Sequence, residues 1–406
     1  MKKHIRLGLL KETKDPVDNR VVLTPDQCKF LTEKYPNLEI RVQSSDVRAF
    51  HDDEYSRLGI DVVEDVTDCD LLLGVKEVKR NTLIPGKHYI FFGHIAKMQD
   101  YNRPLCKALI ENKITFTDWE YLTDDNDIRL IAFGRWAGLV GSYNALRLYG
   151  LKHGLFELPK PSLRSTLSEF EEDCRKILPL LKKRNLNIMI TGNGRVAHGA
   201  KEFFESLGVA VTIPENCDSV RDHGFNVYQL PLDKLVCRKD FQNFSSESFH
   251  SDPSAFISNF TGYAKKCDIL ISAHFWSNDA PKYITKEMLP NLRADVIADI
   301  SCDINGSIES TIRPSTHANP FYGINRVTCE ETDYMIPSAI GVMAVDTCPN
   351  ALPRDASEDF GNQIINYLIP ELLEDSESAV LDRATIISNG VLTERFSYMS
   401  DFAYDN

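Results

Sequence analysis

The chain has 406 residues, of which 43% are hydrophobic and 26% are charged, and its formal net charge is −13. This length is more than one ordinary core holds and predicts two domains. The acidic balance argues against nucleic acid or an anionic membrane as a partner, and no apolar run approaches the ~20 residues of a membrane span.

Strand-like and helix-like segments alternate through the first third of the chain. Helical patterns near residues 26–34 and 52–58 lie between short apolar runs, which is typical of a parallel sheet covered by helices. We therefore expect an α/β fold. The strand-like runs are residues 4–10, 38–42, 70–75, 89–93 and 114–119.

Ionisable residues follow the last three of these runs. Lys76, His94 and Glu120 come at or just after the ends of the runs, and Lys97 lies three residues beyond His94. Each residue alone would be interpreted as a solvated surface charge. Because ligand sites in parallel sheets lie outside the carboxyl ends of the strands, we expect these side chains at one edge. A lysine tuned by a carboxylate, beside a histidine, predicts acid–base chemistry.

A glycine-punctuated turn lies between a strand-like run and a helical pattern in the segment 187–208, NIMITGNGRVAHGAKEFFESLG. Gly192 and Gly194 allow a sharp turn and close approach of a ligand, and Ala197 permits close packing of the helix on the strand. The N–H groups of the new helix would face an anion such as a dinucleotide pyrophosphate. The alternative is an ordinary turn without a ligand. The predicted cofactor residues of the turn are Gly192, Gly194, Arg195, Val196 and Ala197.

The segments around the turn complete a second alternating pattern. Residues 209–213 predict the next strand, and Glu215 after it is the candidate for the acidic residue that bonds the ribose hydroxyls in dinucleotide sites. Residues 217–263 are polar and are interpreted as an irregular insertion. The remaining patterns are helices at 131–148 and 166–183, strands at 268–273 and 295–300, a helix at 359–373 and a strand at 386–389.

The amino terminus and the cysteines indicate the compartment. The first residues, MKKHIRLGLLKE, have too short an apolar part for a signal peptide, so we expect a cytoplasmic protein. The ten cysteines occur singly without a C-x-x-C spacing. This argues against a disulfide scaffold and against structural zinc, and no metal site is predicted.

Eight segments spread in order along nearly the whole chain carry a family resemblance. They are RAFHDDEYSRLGI, LLLGVKEV, IFFGHIAKMQ, RLIAFGRWAG, TGNGRVAHGAKEFF, IADISCDINGSIES, DTCPNALPRDASEDFG and IISNGVLTERFSYM. With these motifs the sequence resembles the lysine-forming saccharopine dehydrogenases, and in particular the lysine-ketoglutarate reductase half of the bifunctional animal enzyme. That family is similar in fold to alanine dehydrogenase and transhydrogenase subunits.

The resemblance implies two doubly wound Rossmann-like α/β domains with a cleft between them, the first completed by the C-terminal helices. We expect a substrate domain of residues 1–136 plus 347–406 and a dinucleotide-binding domain of residues 137–346. The implied cofactor is NAD, with NADP left open. The implied substrates are saccharopine, L-lysine and 2-oxoglutarate, handled by a monomer or a small homo-oligomer.

The resemblance also implies roles for the catalytic residues. Lys76 matches the base that acts on the secondary amine, and His94 matches the acid–base group for imine hydration. Glu120 matches a carboxylate that tunes the lysine.

Further roles are implied for binding residues. Arg20, Lys97 and Arg129 match positive positions that face substrate carboxylates or the cofactor, while Asp299 and Asp303 lie in the segment that lines the nicotinamide end. Because Arg20 lies in a connecting loop and Lys97 near a strand end, both are expected to act on substrate anions and not on the fold.

Two other functions remain open from the sequence. An alanine-dehydrogenase-like enzyme would use a similar lysine and histidine on a smaller substrate. A non-catalytic dinucleotide-binding regulatory protein would have no need of Lys76, His94 and Glu120 together.

Overall fold

The computed structural model describes residues 4–240, 242–373 and 378–404 of the chain. The chain divides into two compact units, Met1–Phe133 with Pro353–Asn406 and Gly134–Leu352. The sequence-based boundaries lie a few residues away, at 136/137 and 346/347. The predicted first domain also includes residues 1–3, 374–377 and 405–406, which lie outside the described residues.

The helices and strands follow one another through the first unit, the second unit and back into the first. The chain starts with β1 (Ile5–Leu9), α1 (Pro25–Lys34), β2 (Leu38–Gln43), α2 (Asp52–Ser56), β3 (Asp61–Val63), β4 (Leu71–Leu73), β5 (His88–Phe91), α3 (Arg103–Glu111) and β6 (Thr115–Asp118). The second unit contains α4 (Gly134–Lys152), α5 (Leu167–Leu181), β7 (Leu186–Thr191), α6 (Arg195–Ser206), β8 (Val211–Thr212), β9 (Phe225–Leu230), α7 (Leu232–Leu235), β10 (Val236–Arg238), α8 (Ser246–Ser251), β11 (Phe256–Ser258), α9 (Thr261–Ala264), β12 (Ile269–Ser272), β13 (Val296–Asp299), β14 (Phe321–Ile324), β15 (Glu331–Thr332) and β16 (Ile340–Met343). The return to the first unit adds α10 (Pro353–Tyr367), α11 (Ile369–Leu373), α12 (Ala379–Ala384), β17 (Thr385–Ser388), β18 (Val391–Leu392) and α13 (Ser400–Ala403).

The described part of the first unit is built on an eight-stranded sheet in the order β18-β17-β6-β5-β4-β1-β2-β3. The strands β1 to β6 pair in parallel, and β17 and β18 extend the β6 edge in antiparallel fashion. The chain winds outwards from β1 to β3 and then restarts at β4, on the other side of β1. This is a doubly wound topology whose switch point lies between β1 and β4.

The described part of the second unit has its own eight-stranded sheet in the order β15-β14-β16-β13-β12-β7-β9-β8. Its central strands pair in parallel, and β14 and β15 are antiparallel additions. The switch point lies between β7 and β12. The expectation of two Rossmann-like α/β domains is therefore confirmed.

The predicted irregular insertion at 217–263 is wrong, because this segment supplies a central strand. All six residues of β9 pair with β7, and the predicted strand at 209–213 is reduced to the two-residue edge strand β8. The polar residues of β9 are satisfied inside the fold: Asn226 donates to the side chain of Asn187 at 3.1 Å, and Gln229 donates to the carbonyl of Gly192 at 3.1 Å. Amides with such partners do not disturb a strand.

The small residues predicted within a buried helix place α4 against α6. A Cβ added at Gly138 would lie 2.0 Å from the carbonyl oxygen of Val196, and one added at Gly199 would lie 2.0 Å from that of Arg135. Only glycine permits two helix backbones to approach so closely. The direction of α6, which follows the glycine turn, is therefore fixed by backbone contact. No helix among the described residues is long and apolar enough to span a bilayer.

Candidate active site

The switch point of the first sheet brings together the segments that follow β1 and β4. Glu12 lies three residues beyond β1, and its two carboxylate oxygens accept the N–H groups of Val75 at 2.6 Å and Lys76 at 2.9 Å. Open α/β sheets bind ligands at this place. The carboxylate thus holds the lysine segment at the edge where the strand-end argument expects it.

The surroundings of Lys76 favour its neutral form. Burial lowers the pKa of Lys76, and the nearby cations Arg20 and Lys14 lower it further, whereas Glu77 and Asp18 act in the opposite direction. A lysine with a lowered pKa can accept a proton closer to neutral pH than an exposed lysine.

Glu12 is a carboxyl group that keeps its proton unusually well. Burial raises its pKa to about 8, with a contribution from Asp18, although the N–H groups of Val75 and Lys76 oppose the shift. The carboxyl group of Glu12, whose pKa is raised, therefore lies against the backbone of Lys76, whose side-chain pKa is lowered. The sequence argument did not select Glu12, although the same strand-end rule applied to β1 would have included it.

His94 and Glu120 form a second cluster at the ends of β5 and β6. Glu120 Oε2 lies 3.3 Å from His94 Nδ1, and Glu120 Oε1 lies 3.3 Å from Lys97 Nζ and 2.6 Å from the guanidinium of Arg129. Burial opposes the ionisation of Glu120, but the hydrogen bond with His94 and the charges of Arg129 and Lys97 hold the pKa of Glu120 well below its usual range. The carboxylate is therefore ionised and fixes the imidazole.

This arrangement corrects the role expected of Glu120. The carboxylate contacts His94, whereas the largest carboxylate effects on the pKa of Lys76 come from Glu77 and Asp18. Glu77 also lies 4.0 Å from His94 Nε2, measured from its Oε1. Glu77 therefore lies near the histidine and also raises the pKa of the lysine.

Arg20 is buried, contrary to the expectation of a dispensable loop cation. Its side chain is 3% exposed and forms an ion pair with Asp18, which is 1% exposed, at 2.5 Å. Its guanidinium also lies 4.2 Å from the centroid of the Phe133 ring. Burial opposes the ionisation of Asp18, yet Arg20 holds the pKa of Asp18 below its usual range. Arg20 therefore stabilises the fold as well as lying beside the lysine.

The glycine turn of the second unit lies at its switch point, directly after β7. Gly192 has φ +95°, and a Cβ there would lie 2.8 Å from the Cα of His274, so the protein itself requires glycine. Gly194 has φ −88°, and a Cβ there would meet no protein atom within 4 Å. The fold itself therefore does not require glycine at position 194. A ligand that approaches the backbone closely would require it. The first N–H groups of a helix point outward from its start, so the first turn of α6 at Arg195, Val196 and Ala197 suits an anion.

Three other residues predicted for the cofactor lie in different settings. Glu215 is exposed beyond the edge strand β8, which is separated from β7 by β9. Asp299 is buried, and its oxygens accept from Ser301 at 2.7 Å and Thr311 at 2.6 Å. These bonds hold the segment after β13, and the cofactor role of Asp299 stays a prediction. Asp303 is exposed in that segment.

His274 lies against the glycine turn and is not among the residues predicted for the site. Its Nδ1 lies 2.7 Å from Thr191 Oγ1, and its Nε2 lies 2.7 Å from Ser307 Oγ. Burial lowers the pKa of His274 to about 3, so the ring is neutral. It joins the end of β7 to the end of β12 and is a structural residue.

The two halves of the chain match the two domains of a known family. The model of the alanine dehydrogenase/PNT N-terminal domain matches residues 8–140, and that of the C-terminal domain matches residues 182–400. The chain belongs to the alanine dehydrogenase/PNT family. Solved structures similar to this family member include an L-alanine dehydrogenase, with a TM-score of 0.64 at 17% identity over 98% of this chain and 100% of that one. A transhydrogenase from Sinorhizobium meliloti has a TM-score of 0.58 at 13% identity, over 96% of this chain and 98% of that one. These structures share the fold.

Within this alanine dehydrogenase/PNT family, the similar curated proteins confirm the resemblance seen in the motifs. The mitochondrial alpha-aminoadipic semialdehyde synthase of Bos taurus is 28% identical over 97% of this chain. The chain spans 47% of that protein's length. The saccharopine dehydrogenase [NAD(+), L-lysine-forming] of Schizosaccharomyces pombe is 28% identical over 92% of this chain and 94% of its own length. The chain is therefore similar to amino-acid dehydrogenases of this family.

Arg20→Met should reduce the free energy of unfolding by about 3–5 kcal/mol, because it leaves Asp18 buried without its partner. Lys97→Met is the matched control, since Lys97 is 45% exposed and its removal should cost no more than about 1 kcal/mol. Urea unfolding of both variants measures the difference. If Arg20→Met is as stable as the parent protein and only its Michaelis constant for the anionic substrate rises, the structural role is contradicted. Arg20 would then act on substrate anions, as the sequence predicted.

Proposed function

We propose that the protein is a nicotinamide-dinucleotide-dependent oxidoreductase that interconverts saccharopine with L-lysine and 2-oxoglutarate. The observation that carries the proposal is the half-buried Lys76 at the switch point of the first sheet, whose pKa is lowered and whose N–H donates to Glu12. Relatives named saccharopine dehydrogenase support the same assignment. A binding module would have no use for such a base.

The reaction needs a base at a secondary amine. When saccharopine is oxidised, a hydride leaves the carbon that bears the amine, and the amine nitrogen gives up its proton. Neutral Lys76 accepts that proton, and an imine remains. A bound nicotinamide supplies the hydride acceptor.

The imine is then hydrolysed. His94 takes a proton from the attacking water and later returns one to the departing amine, which releases L-lysine and 2-oxoglutarate. Glu120 holds the imidazole through Nδ1 at 3.3 Å. In the opposite direction the same groups act in reverse order.

Although the protein has a negative net charge, two cationic side chains near Glu120 can attract the carboxylates of a substrate. Lys97 and Arg129 both contact Glu120 and are 45% and 38% exposed. A substrate carboxylate can compete with Glu120 for these cations, and the guanidinium of Arg129 suits a bidentate contact. Saccharopine carries several carboxylates, which fits such a site.

The cofactor residues we propose lie in the glycine turn of the second unit. The N–H groups at the start of α6 would hold the pyrophosphate, with Gly194 giving it room. NAD is the proposed cofactor and NADP is the alternative. Glu215 stays a candidate for the ribose, and Asp303 for the nicotinamide end.

The test is an assay of nicotinamide oxidation by absorbance. The protein should oxidise the reduced cofactor with lysine plus 2-oxoglutarate, and much more slowly with pyruvate plus ammonium. Each mixture is tested with NADH and with NADPH. Turnover only with pyruvate plus ammonium would point to an alanine-dehydrogenase-like enzyme, and binding without any turnover would point to a regulatory protein.

Gly194→Val should abolish dinucleotide binding while changing the free energy of unfolding by only about 1 kcal/mol, because a Cβ at this position meets no protein atom within 4 Å. Gly192→Ala is the contrasting variant, since its Cβ would lie 2.8 Å from His274 Cα and should destabilise the fold itself. Fluorescence titration with NADH and urea unfolding separate the two effects. Parent-like affinity of Gly194→Val would move the cofactor site elsewhere.

The rate of saccharopine oxidation should rise with pH as Lys76 loses its proton, with a midpoint below the ordinary lysine pKa of 10.5 because burial lowers it. Lys76→Met should remove this limb and lower turnover by roughly 10²–10⁴-fold. Lys97→Met, the same substitution at an exposed lysine, should keep the rise of the rate with pH and should raise the Michaelis constant for saccharopine. Unchanged turnover of Lys76→Met over the whole pH range would exclude the lysine as the base.

A further inference from the structure

We infer that Asp118 is the positioning residue of the acid–base pair, because one of its carboxylate oxygens fixes the backbone of His94 and the other fixes that of Glu120. This inference rests on the proposed function, in which His94 moves protons and Glu120 holds its ring. Asp118 itself touches neither reacting group through their side chains. It acts through the two residues that it holds.

The carboxylate of Asp118 lies between the segments that follow β5 and β6. Its Oδ2 accepts the N–H groups of Gly93 at 3.0 Å and His94 at 3.1 Å, and its Oδ1 accepts that of Glu120 at 2.9 Å. Asp118 is fully buried and lies opposite Phe91 in the parallel pair. One rigid group therefore joins two loops that are 26 residues apart in sequence.

The backbone of His94 needs such support. It has φ +54°, in the left-handed region that residues with a Cβ avoid. The Asp118 bond to its N–H and a bond from Asn102 Nδ2 to its carbonyl at 3.3 Å hold the peptide on both sides. In this conformation the imidazole reaches Glu120, with 3.3 Å between Nδ1 and Oε2. Loss of the support would let His94 relax and would separate the pair.

Only a carboxylate serves three N–H donors at this place. Two oxygens accept on both sides of the group, whereas an amide has one oxygen and turns an NH₂ group toward a donor. Burial raises the pKa of Asp118 to about 6, and the bonds from the N–H groups of Glu120 and Gly93 oppose this shift because they stabilise the ionised form. The residue type is thus set by the geometry of the pair.

The alternative is a purely structural role, in which Asp118 is a carboxylate at a strand end that only stabilises the sheet. Asp268 is such a group in the second unit: it precedes β12, accepts the N–H of Asn187 at 2.8 Å and pairs with Arg293 at 2.7 Å. It lies at the amino end of its strand, away from the carboxyl edge. Asp268→Asn is therefore the matched control for Asp118→Asn.

The experiment compares both variants by steady-state kinetics, thermal unfolding and amide hydrogen exchange. Asp118→Asn should lower kcat by roughly 10–100-fold with little change in KM, as expected when a reacting group is misplaced. Amide exchange should become faster at residues 93–98 and 119–121. Asp268→Asn should lower the melting temperature and leave kcat unchanged.

Two outcomes overturn the inference. In the first, kcat and the amide exchange rates of Asp118→Asn equal those of the parent protein. In the second, kcat falls only in proportion to the fraction of folded protein that thermal unfolding reports. If Asp118→Asn does not fold, Asp118→Ser, which keeps one acceptor, replaces it with the same expectations. The exchange measurement does not depend on enzyme activity, so it tests the inference separately from the proposed function. If the parent protein shows no turnover with lysine plus 2-oxoglutarate, the proposed function fails. If amide exchange at residues 93–98 is unchanged in Asp118→Asn, the positioning role of Asp118 is refuted.

Discussion

Two carboxyl groups that accept backbone N–H groups hold the carboxyl edge of the first sheet. Glu12 does so for the segment of Lys76, and Asp118 does so for those of His94 and Glu120. A buried polar atom is costly unless its hydrogen bonds are complete, so a shift of any of these segments would leave an oxygen of Glu12 or Asp118 without its donor. The acid–base groups are carried on loops, yet their positions are as determined as those of the strands. Functional side chains need this kind of support to be effective.

Local patterns predicted the features that depend on neighbours in sequence. The strand-end rule selected Lys76, His94 and Glu120 because three successive parallel strands place their ends together, and the structure brings His94 and Glu120 into contact. The glycine turn was visible for the same reason, since its strand, its Gly192 and its helix are contiguous. Glu12 obeys the same rule, but it lies in the charge-rich run KETKD and reads as surface.

Features that depend on distant partners could not be predicted in this way. The burial of Arg20 requires Phe133, more than a hundred residues later, beside the local Asp18. The central strand β9 contains Asn226 and Gln229, which break the apolar pattern, and only their contacts with the β7 region explain why they are tolerated. The attachment of Glu120 to His94, and not to Lys76, is likewise a matter of side-chain direction.

The first sheet also imposes an order on synthesis. The strand β6 ends at Asp118, and its neighbour β17 begins at Thr385, so the whole second unit is translated between them. At about 5–20 residues per second, the edge of β6 waits on the order of tens of seconds for its partner. An unpaired strand edge is a template for pairing with other chains. The β6 edge, which leads into Glu120, is therefore open to wrong pairing on the nascent chain until β17 has been made.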